Sequence, residues 1–456
     1  RRKRNCLRGE TEMEQITNLA QFAVEKATSL GAETVEARIG ENLNFSVNVR
    51  NRDVETLTES VSNHIHILVS IGARRASSTS SDLSRDSIAR LAAHAVKLCQ
   101  IMERDEYYRL PDRDELGSAS EDLQIFHPEI TGMATDRKIE IARELEDIAL
   151  KKDPRIMTDQ SSYSSSVIKV ALANSLGFCD SYRKSYNSAM ISCAAEDDTD
   201  GQNKGKKQSA YWYSAAISFQ QLRPLEEIAS EAVERTLRKI GSIKPETCRV
   251  PVVFDPITAG GLLRSISSAV RGKNIYRKSS FLAGMLGREI APSILTVIDD
   301  PLMPGRLGSR PFDSEGVISR RNTVIEKGIL RTYLMNTYQA NKLGSKTTGN
   351  SGGSSNFFIK PGKFSEEEVI SSVDNGLYLT STSGQGANWS TGDFSQGAEG
   401  IWIEEGSLSF PVSGFTIAGT FEEMLQDIEM IGEDIDWKND IASPPFKINK
   451  MVISGS

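Results

Sequence analysis

Histidine is scarce in this chain. Only His64, His66, His94 and His127 occur among 456 residues, and the 329 residues after His127 contain none. Any mechanism that needs an imidazole base or ligand in the C-terminal half must do without it or import it. Cysteine is sparse as well: Cys6, Cys99, Cys179, Cys193 and Cys248 form no C-x-x-C pair. An odd number spread over a long chain argues against a disulfide framework and for reduced thiols in a cytoplasmic setting. Long apolar runs are missing. Stretches such as Ile65-His66-Ile67-Leu68-Val69 fall far short of the roughly 20 residues that cross a bilayer, so no membrane role is expected. The basic start Arg1-Arg2-Lys3-Arg4 is followed by no apolar stretch of the kind a secretion signal requires.

What is present fits a soluble globular protein, with 38% hydrophobic and 25% charged residues. The length suggests two or three domains of roughly 100–200 residues. Residues 1–12 read as a disordered upstream extension, with Met13 as a natural start. A nucleic-acid-binding arm is the sharper reading of the basic run, but short terminal charge runs are usually just solvated. Without that segment the net charge moves from −7 to −10, which suits polyphosphate poorly, so direct nucleic-acid binding is not expected.

The apolar pattern divides the rest. Residues 15–29 have helical spacing closed by Gly31; residues 34–50 and 64–70 alternate as strands; residues 84–102 return to helix. A similar order recurs with a helix at 136–150, strands at 165–172, 188–195 and 211–219, and a helix at 225–240. The order suggests a duplicated α+β unit, with no residue-level self-similarity behind it. The pattern breaks near Pro245, and a new strand opens at Val250. The expectation is an α+β N-terminal domain (13–245) followed by a β-rich C-terminal domain (246–456). Three helices are expected in the latter. Asp255 caps one with Pro256 at its first position, Ser365-Glu366-Glu367-Glu368 opens a second, and residues 421–431 form a third.

Catalytic motifs are mostly negative. Gly349-Asn350-Ser351-Gly352-Gly353 fits the G-x-S-x-G nucleophile elbow, but that arrangement needs a histidine downstream and none exists. The S-x-x-K matches at Ser166 and Ser181 lie in strand-like sequence, and no Walker loop occurs. His64 and His66 share one strand face and could be half a metal site, though polar histidines on a half-exposed strand are commoner. Asp299-Asp300 and Glu404-Glu405 read as turn and surface charges.

Several C-terminal strings are distinctive: Tyr276-Arg277-Lys278-Ser279-Ser280-Phe281, Pro311-Phe312-Asp313-Ser314-Glu315-Gly316-Val317, Leu330-Arg331-Thr332-Tyr333-Leu334, Thr391-Gly392-Asp393-Phe394-Ser395, and Pro411-Val412-Ser413 with Thr416-Ile417-Ala418-Gly419. On these the chain resembles the TldE (PmbA) branch of the TldD/TldE family. The similarity extends from about Met13 to the end and is strongest after residue 250. The resemblance implies a TldD-like partner that carries H-E-x-x-x-H on the equivalent of helix 255–271, with a cysteine near its C-terminus completing a zinc site. Carried onto this chain, those positions are Arg264, Ser265, Ala269 and Ser443. Arginine repels a divalent ion, alanine has no donor atom, and serine is neither a usual zinc ligand nor a general base. No catalytic residue and no metal or cofactor is therefore expected here, with zinc held by the partner subunit. Tyr276, Arg277, Lys278, Asp313, Glu315 and Asp393 are signature positions without an assigned role.

The function expected from the resemblance is that of a non-catalytic subunit of a two-component zinc metallopeptidase. It would act on unfolded or extended peptides, including precursors that mature by proteolysis, and self-associate as a homodimer when alone. Two alternatives stand beside it: a binding protein or homodimer that modulates DNA gyrase, and an independent hydrolase holding metal through carboxylates such as Asp313 and Glu315.

Overall fold

In the computed structural model, which describes residues 2–199 and 204–455 with side chains from residue 11 onward, the first half of the chain repeats one order of elements. Helix α1 (Arg2–Ser29) leads into β1 (Thr34–Arg50), β2 (Asp53–Ile71), β3 (Arg74–Ser80) and α2 (Arg85–Ile101). After the short α3 (Glu129–Gly132) come α4 (Thr135–Lys152), β4 (Met157–Asn174), β5 (Cys179–Glu196), β6 (Lys207–Ala216) and α5 (Leu225–Leu237). All six strands form one antiparallel sheet in the order β3-β2-β1-β4-β5-β6. The two units therefore join β1 to β4 at the centre and run outward to matching edges, a pseudo-two-fold arrangement.

The period of two in the long strands feeds two cores on one face. Val35, Ala37 and Ile39 pack with Ala171 and Ala173 under α1 and α2. Farther along β1, Phe45, Val47 and Val49 pack with Tyr163 and Ile191 under α4 and α5. Over the first half of β4 the opposite face is polar, with Gln160, Ser162, Ser164 and Ser166. Such positions hide the alternation, which is why β2, β4 and β5 outrun the strands expected from the sequence. The disordered extension expected over residues 1–12 is corrected. Helix α1 runs back to Arg2 with no break at Met13, because residues 2–10 lack proline and are mostly arginine, lysine, leucine and glutamate, all good helix formers. Residue 1 lies outside the described residues.

The second half runs β7 (Cys248–Phe254), α6 (Pro256–Ala269), α7 (Gly272–Tyr276), β8 (Val297–Asp299), β9 (Asn322–Glu326), β10 (Ile329–Leu330), α8 (Thr337–Lys342), β11 (Phe357–Ile359) and α9 (Glu366–Ser371). It continues through β12 (Asn375–Ser383), β13 (Ala387–Asn388), β14 (Asp393–Glu404), β15 (Ser407–Thr420), α10 (Phe421–Gln426), β16 (Ile428–Ile431), β17 (Ile441–Ala442) and β18 (Phe446–Ser454). Strands pair in the order β12-β7-β18-β15-β14, and β14 pairs β12 again, so the path closes into a five-stranded barrel. A second sheet runs β10-β9-β8-β11-β17. Helix α6 serves both: Leu262, Leu263 and Ile266 enter one core with Phe254 and Phe446 of the barrel and Val297 and Ile359 of the second sheet.

Local signals act as expected at two helix starts. Asp255 accepts a hydrogen bond from the Thr258 N–H at 2.8 Å, and Ser365 and Glu368 make a reciprocal capping box. The helix expected over 421–431 stops at Gln426, because Ile428–Ile431 pairs with β18 instead. Helices α7 and α8, of five and six residues, are too short to show a period in sequence.

Phe312 ties the halves together, its ring centroid 5.2 Å from those of both Phe178 and Tyr182, each edge-on. Nearby, Arg38 Nη1 of β1 donates to Ser314 Oγ at 2.7 Å.

Candidate functional site: a cleft beside helix α6

The Asp255 cap and the buried stripe of α6 leave the opposite side of the helix free, and Ile257 and Gly261 on that side line a cleft of about 620 Å³. Its other walls are the edge strand β6, with Tyr211, Trp212 and Tyr213, the end of α5 and its continuation, with Arg235, Arg238 and Lys239, and barrel residues around Thr380–Thr382 and Glu399–Ile401. Arg235 binds the fully buried Asp255 carboxylate at 3.1 Å and Glu231 at 2.7 Å, and its guanidinium lies 4.0 Å from the Trp212 ring centroid. Arg238 is held less well. Among the described residues its guanidinium reaches only Glu231, at 3.7 Å, and its Nη2 makes no hydrogen bond. Burial, and then the neighbouring Arg235 charge, lower its affinity for a proton. Lys239 bridges the cleft to Glu399 at 2.7 Å. At the inner edge Lys438 lies 2.8 Å from the Trp212 centroid, and burial pushes its ammonium down to about 8.

One turn beyond Gly261, Arg264 is exposed with Ser265 half-buried beside it, while Ala269 is fully buried. Strand β17 passes next to α6, since a Cβ on Gly260 would stand 3.6 Å from the Ile441 carbonyl. Ser443 follows that strand, fully buried, with its hydroxyl donating to the Pro444 carbonyl at 2.7 Å. The structure thus brings the C-terminal segment against α6, but the side chains there do not fit a zinc ion. Among the described residues no three His, Cys, Asp or Glu side chains cluster as a metal site would need.

The other signature residues are largely architectural. Asp313 accepts from the backbone N–H groups of Glu315, Val317 and Ser351, fastening its loop to the 349–353 glycine loop. Glu315 Oε2 accepts from the Thr337 N–H and hydroxyl. Burial and then the Asp313 charge push Glu315 up, and burial followed by these two carboxylates pushes Glu36 of β1 up. Carboxylates so occupied make a poor metal cage. Tyr276 packs edge-on to Tyr338 with centroids 6.1 Å apart, and Arg277 and Lys278 are exposed. Asp393 accepts from the Thr391 hydroxyl at 2.6 Å. The strings around Tyr276 and Asp393 meet where Phe281 stacks on Phe421, with Gly392 against Phe281.

Ser351 is buried in the glycine loop, where Gly349, Gly352 and Gly353 all have positive φ, so it is no exposed nucleophile. His64 lies over Gly40, where a Cβ would come within 2.0 Å of its ring. Burial, then the Arg38 charge, lower both His64 and His66, and a cation there opposes metal binding. Asp299 departs from the surface role expected of it. It is fully buried and accepts from Ser355 N–H and Oγ and from Asn350 Nδ2. Sequence reasoning missed the cleft cluster of Trp212, Arg235, Arg238 and Lys438, whose members lie on three distant segments.

Comparison with known proteins accounts for this fold. The chain matches three PmbA/TldA metallopeptidase domains: domain 1 over residues 35–99, the central domain over 128–240 and the C-terminal domain over 247–455. It is 32% identical to metalloprotease PmbA of Escherichia coli O157:H7 over 98% of each chain. Against the metalloprotease PmbA homolog of Haemophilus influenzae it is 31% identical over 97% of each. A crystal structure from Bacteroides thetaiotaomicron, described as a candidate modulator of DNA gyrase, superposes with a TM-score of 0.90 at 28% identity, covering 96% of this chain and 98% of that one. TldE of Thermococcus kodakarensis shares the fold, with a TM-score of 0.83 at 21% identity over 95% and 99% of the two chains.

Proposed function

Because the chain belongs to the PmbA/TldD metallopeptidase family, we propose that it is the metal-free, PmbA/TldE-type subunit of a two-component zinc peptidase acting on unfolded or extended peptides in the cytoplasm. One observation carries the proposal. The four positions where a TldD-like subunit would hold zinc and its general base are Arg264, Ser265, Ala269 and Ser443, a cation, two hydroxyls and a methyl group. None can bind the ion or deprotonate a water, so activated water must come from another chain. The free edge of β6 and the cleft beside it support handling of extended peptide, since pairing through the backbone tolerates many sequences. The carboxylate-metal alternative finds less support, because Asp313 and Glu315 already accept from backbone and hydroxyl donors.

Affinity capture of the tagged chain from its native lysate, followed by elemental analysis and a peptidase assay, tests the proposal. Zinc and activity are expected only in fractions that contain a second, metal-motif subunit. About one tightly bound zinc in the isolated chain, lost to chelator together with activity, would overturn it.

A further inference from the structure

We propose that the cleft between β6 and the barrel binds the C-terminal end of an extended peptide, paired antiparallel with β6 and with its terminal carboxylate seated at Lys239 and Arg238. The inference deepens the two-component reading, on which it rests for the class of ligand.

The edge of β6 is open. Among the described residues it pairs only with β5, and the Ser209 carbonyl turns away from β5 to accept from Lys239 Nζ at 2.8 Å. In an antiparallel ladder the backbone groups of alternate residues point the same way, so the N–H and C=O of Tyr211 and Tyr213 also face the cleft. Among the described residues no loop or turn occupies them. Gly261 on the facing wall presents no side chain, and a Cβ there would meet nothing within 4 Å. Recognition through the main chain has room to operate.

One end of the cleft is closed, which gives it a direction. The Ile243 N–H donates to the Pro411 carbonyl at 3.1 Å, the Ser413 N–H donates to the Ile243 carbonyl at 3.0 Å, and the Ser242 and Ser413 hydroxyls lie 2.9 Å apart. Lys239 is three residues before that seam and touches Ser209, whereas Arg235, one turn earlier, touches Trp212. Going from Tyr213 to Ser209 therefore leads to the closed end. A peptide antiparallel to β6 travels that way from N to C, so its last residue meets Lys239 and Arg238.

The charges there suit a carboxylate. Lys239 is held by Glu399 in a partly exposed pair that an incoming carboxylate can displace. Among the described residues Arg238 has only a distant share of Glu231, and its Nη2 has no hydrogen bond. A parallel peptide would bring an ammonium group to the same two cations, so polarity is selected as well as extension. The local cations stand out in a chain of net charge −7.

Fluorescence anisotropy on the full chain tests the site. The probe is a fluorescein-labelled ten-residue peptide of Gly, Ser, Thr and Val, made with a free C-terminal carboxylate or with an amide. The acid is expected to bind at least about tenfold more tightly than the amide, and Arg238→Met should erase most of that preference. Tyr211→Pro removes an outward N–H without taking a bond from the β5 ladder, and should weaken both probes about tenfold, whereas Tyr211→Phe should not. Thermal melts establish that each variant is folded. If Tyr211→Pro does not fold, the acid/amide comparison and Arg238→Met still decide the matter. Equal binding of acid and amide, or a preference that survives Arg238→Met, would overturn the site. Failure of the isolated chain to bind either probe, while its complex with a metal subunit cleaves the same peptide, would overturn this site and leave the two-component reading standing. Acid-selective binding by a chain that recruits no metal subunit supports the site and counts against that reading.

Discussion

Replacing Glu315 with glutamine isolates the cost of burying a charge where the two halves of the molecule meet. The Glu315 side chain is enclosed with Asp313 and Glu36, and burial followed by the Asp313 charge raises it to about 7. An acid whose folded-state value is raised holds its proton more tightly in the folded chain than in the unfolded one. Its destabilising effect is therefore absent below the unfolded value of about 4.3, grows as pH rises, and is complete above the folded value. The window is thus about pH 4.3 to 7, and a shift of this size has an upper bound on the order of 3 kcal/mol. Glutamine keeps an oxygen for the Thr337 N–H and hydroxyl, which both donate to Oε2 at 2.9 and 2.7 Å, so the charge is removed with little change in hydrogen bonding. Urea unfolding of parent and variant at pH 4, 6.5 and 8 should show near-equality at pH 4 and a variant more stable by about 1–3 kcal/mol at pH 8. A variant less stable at pH 8, or a difference that does not change with pH, would show that the carboxylate is well compensated and that the burial argument fails.

Two other expectations follow from the packing. Leu263→Ala should cost about 2–5 kcal/mol, measured by denaturant unfolding, because Leu263 is buried between the barrel and the second sheet; a cost under about 1 kcal/mol would mean that α6 is not a core element. Light scattering on the isolated chain should give roughly twice the monomer mass, with exchange into a mixed species when a TldD-like subunit is added; a chain that stays monomeric beside that subunit would count against the proposed role.

The elements legible in the sequence were those whose pattern is local. Strand β1 matches its alternation from Thr34 to Arg50, α2 begins after its Ser84 cap, and Asp255-Pro256 marks the start of α6. The duplicated order of elements in the first half reappears as a sheet with two matching wings. Tertiary facts were hidden. Nothing local marks Asp299 as buried, because its partners Asn350 and Ser355 come more than 50 residues later. Helix α10 looked longer than it is because Ile428 and Ile431 fit a helical stripe as well as they fit pairing with β18. The cleft could not be read at all, since Arg235 meets Trp212 only when α5 packs on the sheet, and Lys438 reaches Trp212 only when the second half closes on the first.

The packing of α6 can be separated from any metal role at the positions that the family resemblance singles out. Its cap, Asp255, and its stripe, Leu262, Leu263 and Ile266, do not overlap with positions 264 and 265. Arg264 is exposed and Ser265 half-buried, so Arg264→His and Ser265→Glu should change stability by less than about 0.5 kcal/mol each. Ala269 differs. It has no exposed surface, packs in the main core, and its carbonyl accepts from Ser280 Oγ at 2.8 Å. A histidine there must displace its neighbours, at a cost of about 1–3 kcal/mol or more. Rebuilding the motif with Arg264→His, Ser265→Glu and Ala269→His, and adding Ser443→Cys, should therefore lower stability chiefly through residue 269. It should also leave zinc affinity poor, because the packing that would orient the second histidine is absent. Denaturant unfolding of the single and combined variants, with zinc titration by calorimetry, separates the two effects. A quadruple variant that binds zinc tightly without loss of stability would show that this chain retains the metal cavity and lacks only the ligands.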